Sequence, residues 1–405
     1  MNLCEIKVHP YTGSNTRRQE ATNEHPLKPI LNSLTILGLN IEEPSGPAKK
    51  MIYHFYHLLI ILCFHYWALS DIVWYFRNYI QEDTLAESVT VWASVVTVDL
   101  MILKRKSLLK VILTVKKETE KLNSSEQRKY RHIVWIVCLM AWTFIVVFIT
   151  QNLVFNIHVD YDKYFSNTPL YFFYHTMSKT QRDLFIRMDR SIETFYIQGV
   201  LTMIIGLYVL LCINAKMWFK NFNLNCESMF TYLDSTLHVE DVRCFKATFD
   251  NLAKNVKRLD NVFCQIVAMW LLMILVILCV RILFILNPLI NKTDMMIEVT
   301  VLALSRAITT LFAVSFTAGD VYKESKACLN KLDAIIRKKD PIRDVAVYHE
   351  VQLAFTIFSF FPVHLTVWKF SSLNKAFLMT CIGMMTTYII ICIQLNPNAL
   401  KSLIG

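Results

Sequence analysis

Seven apolar stretches, at residues 51–76, 85–103, 132–157, 192–215, 263–286, 297–318 and 373–395, constrain this chain more than any other feature. Each is close to the ~20 residues that a helix needs to cross a bilayer core. Hydrocarbon offers no water to backbone amides, so such segments must close their own hydrogen bonds, which selects helices. The sequence therefore reads as an all-α, polytopic membrane protein with seven transmembrane helices. Its composition agrees, with 54% apolar and only 18% charged residues. An eighth apolar stretch, 345–367, is interrupted by His349, Glu350, Pro362 and His364, and is expected as a buried or interfacial helix rather than a crossing.

Lys and Arg set the orientation. With the N-terminus inside, the segments 1–50, 104–131, 216–262 and 319–350 hold 30 of them, against 8 in the segments 77–84, 158–191, 287–296 and 396–405. Cytoplasmic loops carry such an excess, so the N-terminus is expected in the cytosol and the C-terminus outside a plasma membrane. The net charge of +10 follows from this asymmetry and calls for no nucleic-acid partner.

The organisation expected is a cytoplasmic segment 1–50, then helices one to six over 51–318 with cytoplasmic helical extensions at 104–131 and 216–262. Cytoplasmic anchor helices follow at 319–368, a last transmembrane helix at 369–395 and an extracellular tail at 396–405. Residues 104–131 are expected as a helix pair. Near the N-terminus, Lys28 to Gly38 reads as a short amphipathic helix lying on the membrane surface.

Catalytic signatures are absent: no His-Glu-x-x-His, Gly-x-Ser-x-Gly or phosphate-binding Walker loop occurs, so no enzyme activity is expected. None of the eleven cysteines falls in an expected outer loop and none has metal-like spacing, so neither disulfides, metal nor cofactor are expected. No apolar leader opens the chain, and insertion is expected to use the first helix itself. The sequon Asn291-Lys292-Thr293 lies on the expected outer side.

Polar residues inside apolar helices are costly unless partnered, and so they mark candidate sites. Arg306 lies about 13 Å along the sixth helix from Ile297, with Glu298 and Glu193 as candidate partners. Arg281, near the outer end of helix five, is expected to snorkel to the interface. Helices three and four carry Trp142, Phe148, Gln151, Asn152, Tyr196 and Gln198 on their middle and outer parts. Aromatics taken singly at that level are most often interfacial belt residues.

The last stretch ends in Thr387-Tyr388, five apolar residues, Gln394 and Leu395. On a helix, Gly383, Thr387, Ile390 or Ile391, and Gln394 share one face. Thr-Tyr, five residues, Gln and a large apolar residue resembles the closing motif of the arthropod gustatory and odorant receptors, with Leu395 where that family has Phe. The intact Thr387-Tyr388 is more similar to gustatory receptors. The Leu-Gly-Leu at 37–39 and the arrangement of 351–395 resemble the same superfamily.

The resemblance implies a chemosensory receptor, a ligand-gated non-selective cation channel opened by a small-molecule tastant or odorant. It implies a homo- or hetero-tetramer with related subunits, packed through the cytoplasmic helices. It also implies a ligand pocket between the outer halves of helices two to six, drawing on Trp142, Phe148, Gln151, Asn152, Tyr196, Gln198, Glu298 and Arg306. Gln394 would line the pore, Gly383 and Thr387 would share its face, and Ile390 or Ile391 would form a constriction that closes by dewetting.

Two other classes stand beside it. A G-protein-coupled receptor would place the N-terminus outside and bridge an outer-loop cysteine; Asp189-Arg190 occurs here, but in an expected outer loop. A secondary transporter would carry coupling carboxylates in mid-membrane, whereas Asp99 lies near the inner end of helix two.

Overall fold

The structure, a computed structural model, describes residues 25–41, 46–77, 82–157, 178–232, 239–286, 294–338, 345–360 and 363–395. In chain order its helices are α1 (Lys28–Ile36), α2 (Pro47–Arg77), α3 (Glu82–Leu103), α4 (Arg105–Glu120), α5 (Ser124–Ile157), α6 (Lys179–Tyr232), α7 (Val239–Leu286), α8 (Asp294–Lys338), α9 (Val345–Phe360) and α10 (Lys375–Leu395). A two-residue ribbon, β1 (Thr366–Val367) paired antiparallel with β2 (Ser371–Ser372), precedes α10. Six helices, α2, α3 and α5 to α8, are long and apolar enough to cross a membrane. The 21 residues of α10 span about 31 Å, the thickness of one hydrocarbon core.

The centre of the bundle is α6, which packs against α5 on one side and α8 on the other, while α7 packs against α3 and α8. Val200, Leu201, Met203, Ile204, Leu207, Leu210 and Leu211 of α6 are all buried, as expected of a helix apolar nearly all round. The outer helices turn apolar side chains outward: Phe55, Leu58 and Leu62 of α2, and Trp135, Ile136 and Leu139 of α5, are exposed. In a membrane those faces meet lipid. Buried polar groups tie the helices together. Tyr130 donates to the Leu210 carbonyl at 3.1 Å, and Trp270 Nε1 to Thr97 Oγ1 at 3.1 Å.

Several expectations are corrected. Helix α1 does not lie on a surface but inserts against α5 and α6, with Leu27, Ile30, Leu34 and Leu37 fully buried. It closes at Gly38, whose φ of +86° is a conformation that other residues adopt at a cost. A Cβ at Gly38 would also lie 2.8 Å from Ile60, so the turn is closed by shape as well as by dihedral. Residues 104–131 hold α4 and, after a turn at 121–123, the first turns of α5. Arg281 is buried in α7 instead of reaching the surface. Asp189-Arg190 lies within α6, which begins at Lys179, well before the expected start.

The Lys- and Arg-rich ends of α6, α7 and α8 continue as helix beyond the apolar spans, and α9 packs between α7 and α8. An aromatic core joins them: Phe222 stacks on Phe245 with centroids 4.4 Å apart, and Phe249 lies 3.8 Å from Phe358. Lys216 pairs with Asp320 at 2.6 Å, linking α6 to α8. Helix α9 ends at Phe360, short of the expected 367, and residues 363–373 instead form the hairpin carrying β1 and β2. Its bend places Trp368 and Lys369 at φ +47° and +65°. Asp260 of α7 holds it, accepting from the Thr366 amide at 2.7 Å, the Thr366 hydroxyl at 2.9 Å and Lys369 Nζ at 3.0 Å. Asn374 then caps α10 by accepting from the Phe377 amide at 2.9 Å.

Candidate functional site

The residues expected to form one pocket divide between two places. Trp142 and Tyr196 belong to a packed aromatic cluster where α1, α2, α5 and α6 meet. The Trp142 indole donates to Ser33 Oγ of α1 at 3.0 Å and lies 6.3 Å from Phe195. Tyr196 stacks on Trp67 at 6.3 Å, and its hydroxyl lies 3.2 Å from that of Tyr56, which donates to the Ile36 carbonyl at 2.6 Å. These polar groups are already engaged in docking α1 and α2. No residue spacing signals this docking, because α1 reaches the cluster through tertiary packing alone.

Phe148 of α5, Gln198 of α6 and Arg306 of α8 come together in the second place. Arg306 donates to Gln198 Oε1, and its guanidinium lies over the Phe148 ring, 4.9 Å from the centroid. Both α5 and α8 pack chiefly on α6, and the long Arg306 side chain reaches from α8 to Gln198 of α6 and Phe148 of α5. Gln151 stands half-buried one turn along α5 from Phe148. Glu298 is exposed near the start of α8, and Glu193 is buried and bonded to Arg190 at 2.8 Å. Neither is the partner of Arg306, and among the described residues no carboxylate pairs with it. The side chains of Asn152 and Leu395 lie outside the described residues, as do the tail from 396 and the sequon at 291–293.

A charged group that brings Asp71 together with Asp189, Arg190 and Glu193 sits near the cluster. Asp71 and Glu193 are buried beside Arg190, at 4.0 and 2.8 Å, and Asp189 accepts from Trp67 Nε1 at 3.4 Å. Asp71 was detectable as an acid inside an apolar run. It also borders a largely apolar cavity of about 390 Å³ between α2, α3 and α7, lined among others by Ser88, Val89, Trp92, Met269 and Met273. None of the eight expected ligand residues lines that cavity.

Helix α10 is docked on one side only. Leu378 and Cys381 are buried against the bundle, and Cys279 Sγ of α7 lies 3.9 Å from Met385 Sδ. The opposite side is uncovered: Gly383, Thr387, Ile390, Ile391 and Gln394 are all exposed, and a Cβ at Gly383 would meet nothing within 4 Å. At 100° per residue, Gly383, Thr387 and Gln394 fall within about 40° of one another, with Ile390 and Ile391 on either side. Those positions lie on one side of α10, and among the described residues nothing packs on that side.

No protein-family model matches the sequence, and no curated protein matches it. Among solved structures it is similar to the insect olfactory receptor OR5 from Machilis hrabei in complex with eugenol, with a TM-score of 0.71 and 13% identity over 91% of this chain and 98% of that one. A second structure of the same receptor is equally similar, with a TM-score of 0.71 and 14% identity over 91% of this chain and 98% of that one, and the chain has that receptor's fold.

Proposed function

We propose that this chain is a subunit of a chemosensory receptor of the arthropod superfamily, a cation channel opened by a small molecule, with a gustatory role favoured by Thr387-Tyr388. The observation that carries the reading is the uncovered face of α10. A helix whose Gly383, Thr387 and Gln394 face away from its own bundle needs protein or water there, since an amide facing lipid is costly. Four copies arranged around one axis would satisfy that face and enclose a conduit. In that assembly Gln394 rings the path and solvates cations without selecting among them, while Ile390 and Ile391 close it when dry. The basic end with α9 and the hairpin lies in the cytosol and joins the subunits. The ligand enters the groove of Phe148, Gln151, Gln198 and Arg306, apart from the aromatic cluster of Trp142 and Tyr196. The fold shared with an olfactory receptor over nearly all of both chains supports the reading.

The test is conductance in cells expressing the chain, with Ile390→Ser, Ile391→Ser and Gln394→Ala compared with the parent. Serine at the constriction is expected to raise ligand-free leak, and Gln394→Ala to change permeability ratios. Unchanged leak and ratios in all three, with normal surface delivery, would make α10 a structural helix and remove the channel assignment.

A further inference from the structure

From the position of Arg306 we infer that the groove takes a small organic acid, an apolar body carrying a carboxylate that pairs with the guanidinium. The inference rests on the receptor reading above and narrows its ligand class. Arg306 sits about nine residues into the span, some 13 Å from its start, at a depth where a guanidinium cannot reach water by extension. A charge held there is normally matched by an opposite charge, because desolvating it alone is unfavourable. The two carboxylates nearest in sequence logic do not serve: Glu193 is engaged by Arg190, and Glu298 is exposed two turns away. What Arg306 has instead is neutral, the Gln198 carbonyl oxygen and the face of Phe148.

That environment stabilises the cation partly and leaves its charge uncompensated. A planar guanidinium offers five N–H donors, and one acceptor with one ring leaves several of them for a ligand. A carboxylate accepts two of these side by side, which a hydroxyl or an amide oxygen cannot do. Phe148 supplies an aromatic wall for the apolar body. The half-buried Gln151 gives a further neutral polar group at the rim.

The experiment uses the purified full-length chain in lipid nanodiscs, with melting temperature followed against probe concentration. The probes are phenylacetate, phenylacetamide and phenethyl alcohol, and in parallel hexanoate, hexanamide and hexanol. In the parent chain the acids are expected to bind about 10- to 100-fold more tightly than their neutral partners, the range for hydrogen bonds to a charged group. Arg306→Gln should erase that preference, while Arg306→Lys should retain part of it. Gln198→Glu supplies an internal carboxylate; it should raise the ligand-free melting temperature and abolish acid binding. That variant carries the test even where Arg306→Gln does not fold.

Equal affinities for acids and neutral probes, with Phe148→Ala weakening all of them alike, would overturn the acid assignment and leave the groove standing. Absence of any shift with every probe, in the parent and in Arg306→Gln, would overturn both.

Discussion

One buried carboxylate, Asp260, gathers most of the side-chain bonds that tie the hairpin before α10 to α7, and its removal has a calculable effect. Asp260 is 5% exposed and accepts three hydrogen bonds from the hairpin. In Asp260→Ala the Thr366 amide loses its acceptor, at about 1–3 kcal/mol for a buried unsatisfied donor. The Thr366 hydroxyl can rotate, and its loss is about 1 kcal/mol. Lys369 is half-exposed and keeps a 2.6 Å bond to Asn261, so its ion pair adds under about 1 kcal/mol after solvent screening. The left-handed Trp368 and Lys369 each hold a conformation about 1 kcal/mol or more above their preferred ones, so the loop has strain to release once unclamped. The total, about 2–5 kcal/mol, corresponds to a roughly 30- to 4,000-fold loss of amide protection. Hydrogen exchange followed by mass spectrometry on peptides spanning 363–373 reads it directly, with α5 peptides as internal controls. Asp260→Asn keeps one acceptor oxygen and is expected to lose only about tenfold, near 1.4 kcal/mol. Protection within threefold of the parent in Asp260→Ala would show that β1 and β2 hold themselves and that this reasoning is wrong.

Gly38→Ala should lower stability by about 2–4 kcal/mol, combining a positive φ with the approach to Ile60, and shift the melting temperature downward. If Gly38→Ala melts with the parent, α1 is not held by its terminal turn. Trp142→Phe removes the bond to Ser33 while keeping the ring, and should cost about 1 kcal/mol with ligand response retained; a lost response at normal stability would move Trp142 into the ligand site. An N-terminal epitope should stain only after permeabilisation, and staining of intact cells would reverse the proposed orientation.

Much of the bundle was readable because hydropathy reports the medium around a helix, and the seven apolar stretches became α2, α3, α5 to α8 and α10. The continuation of α6 to α8 past the apolar spans was also legible, from Phe222, Phe245 and Phe249 at helical spacing. What escaped were contacts fixed by neighbours distant in sequence. Nothing local to Leu31 or Leu34 distinguishes a helix that floats on lipid from one wedged beside α6, since both need an apolar face. The engagement of Trp142 with Ser33 across 109 positions has no local signature either. Arg306 was visible as an isolated charge, but its partner could only be guessed by depth, and depth favours Glu298 and Glu193 over the neutral Gln198 that meets it. The hairpin was missed because apolar residues either side of Pro362 continue a helical pattern that the backbone does not follow.

Helix α8 runs 45 residues, about 68 Å, without a described break. A rod of that length turns small angles into travel. With Arg306 as fulcrum, about 32 residues, or 48 Å, of lever extend to Lys338. A tilt of about 3° as a molecule wedges between α5 and α8 would swing the far tip by some 2.5 Å over that arm. Both α9 and α10 rest on this rod. On the proposed reading, a gate on α10 would need no local rearrangement beside the ligand, only a rigid helix long enough to magnify its entry.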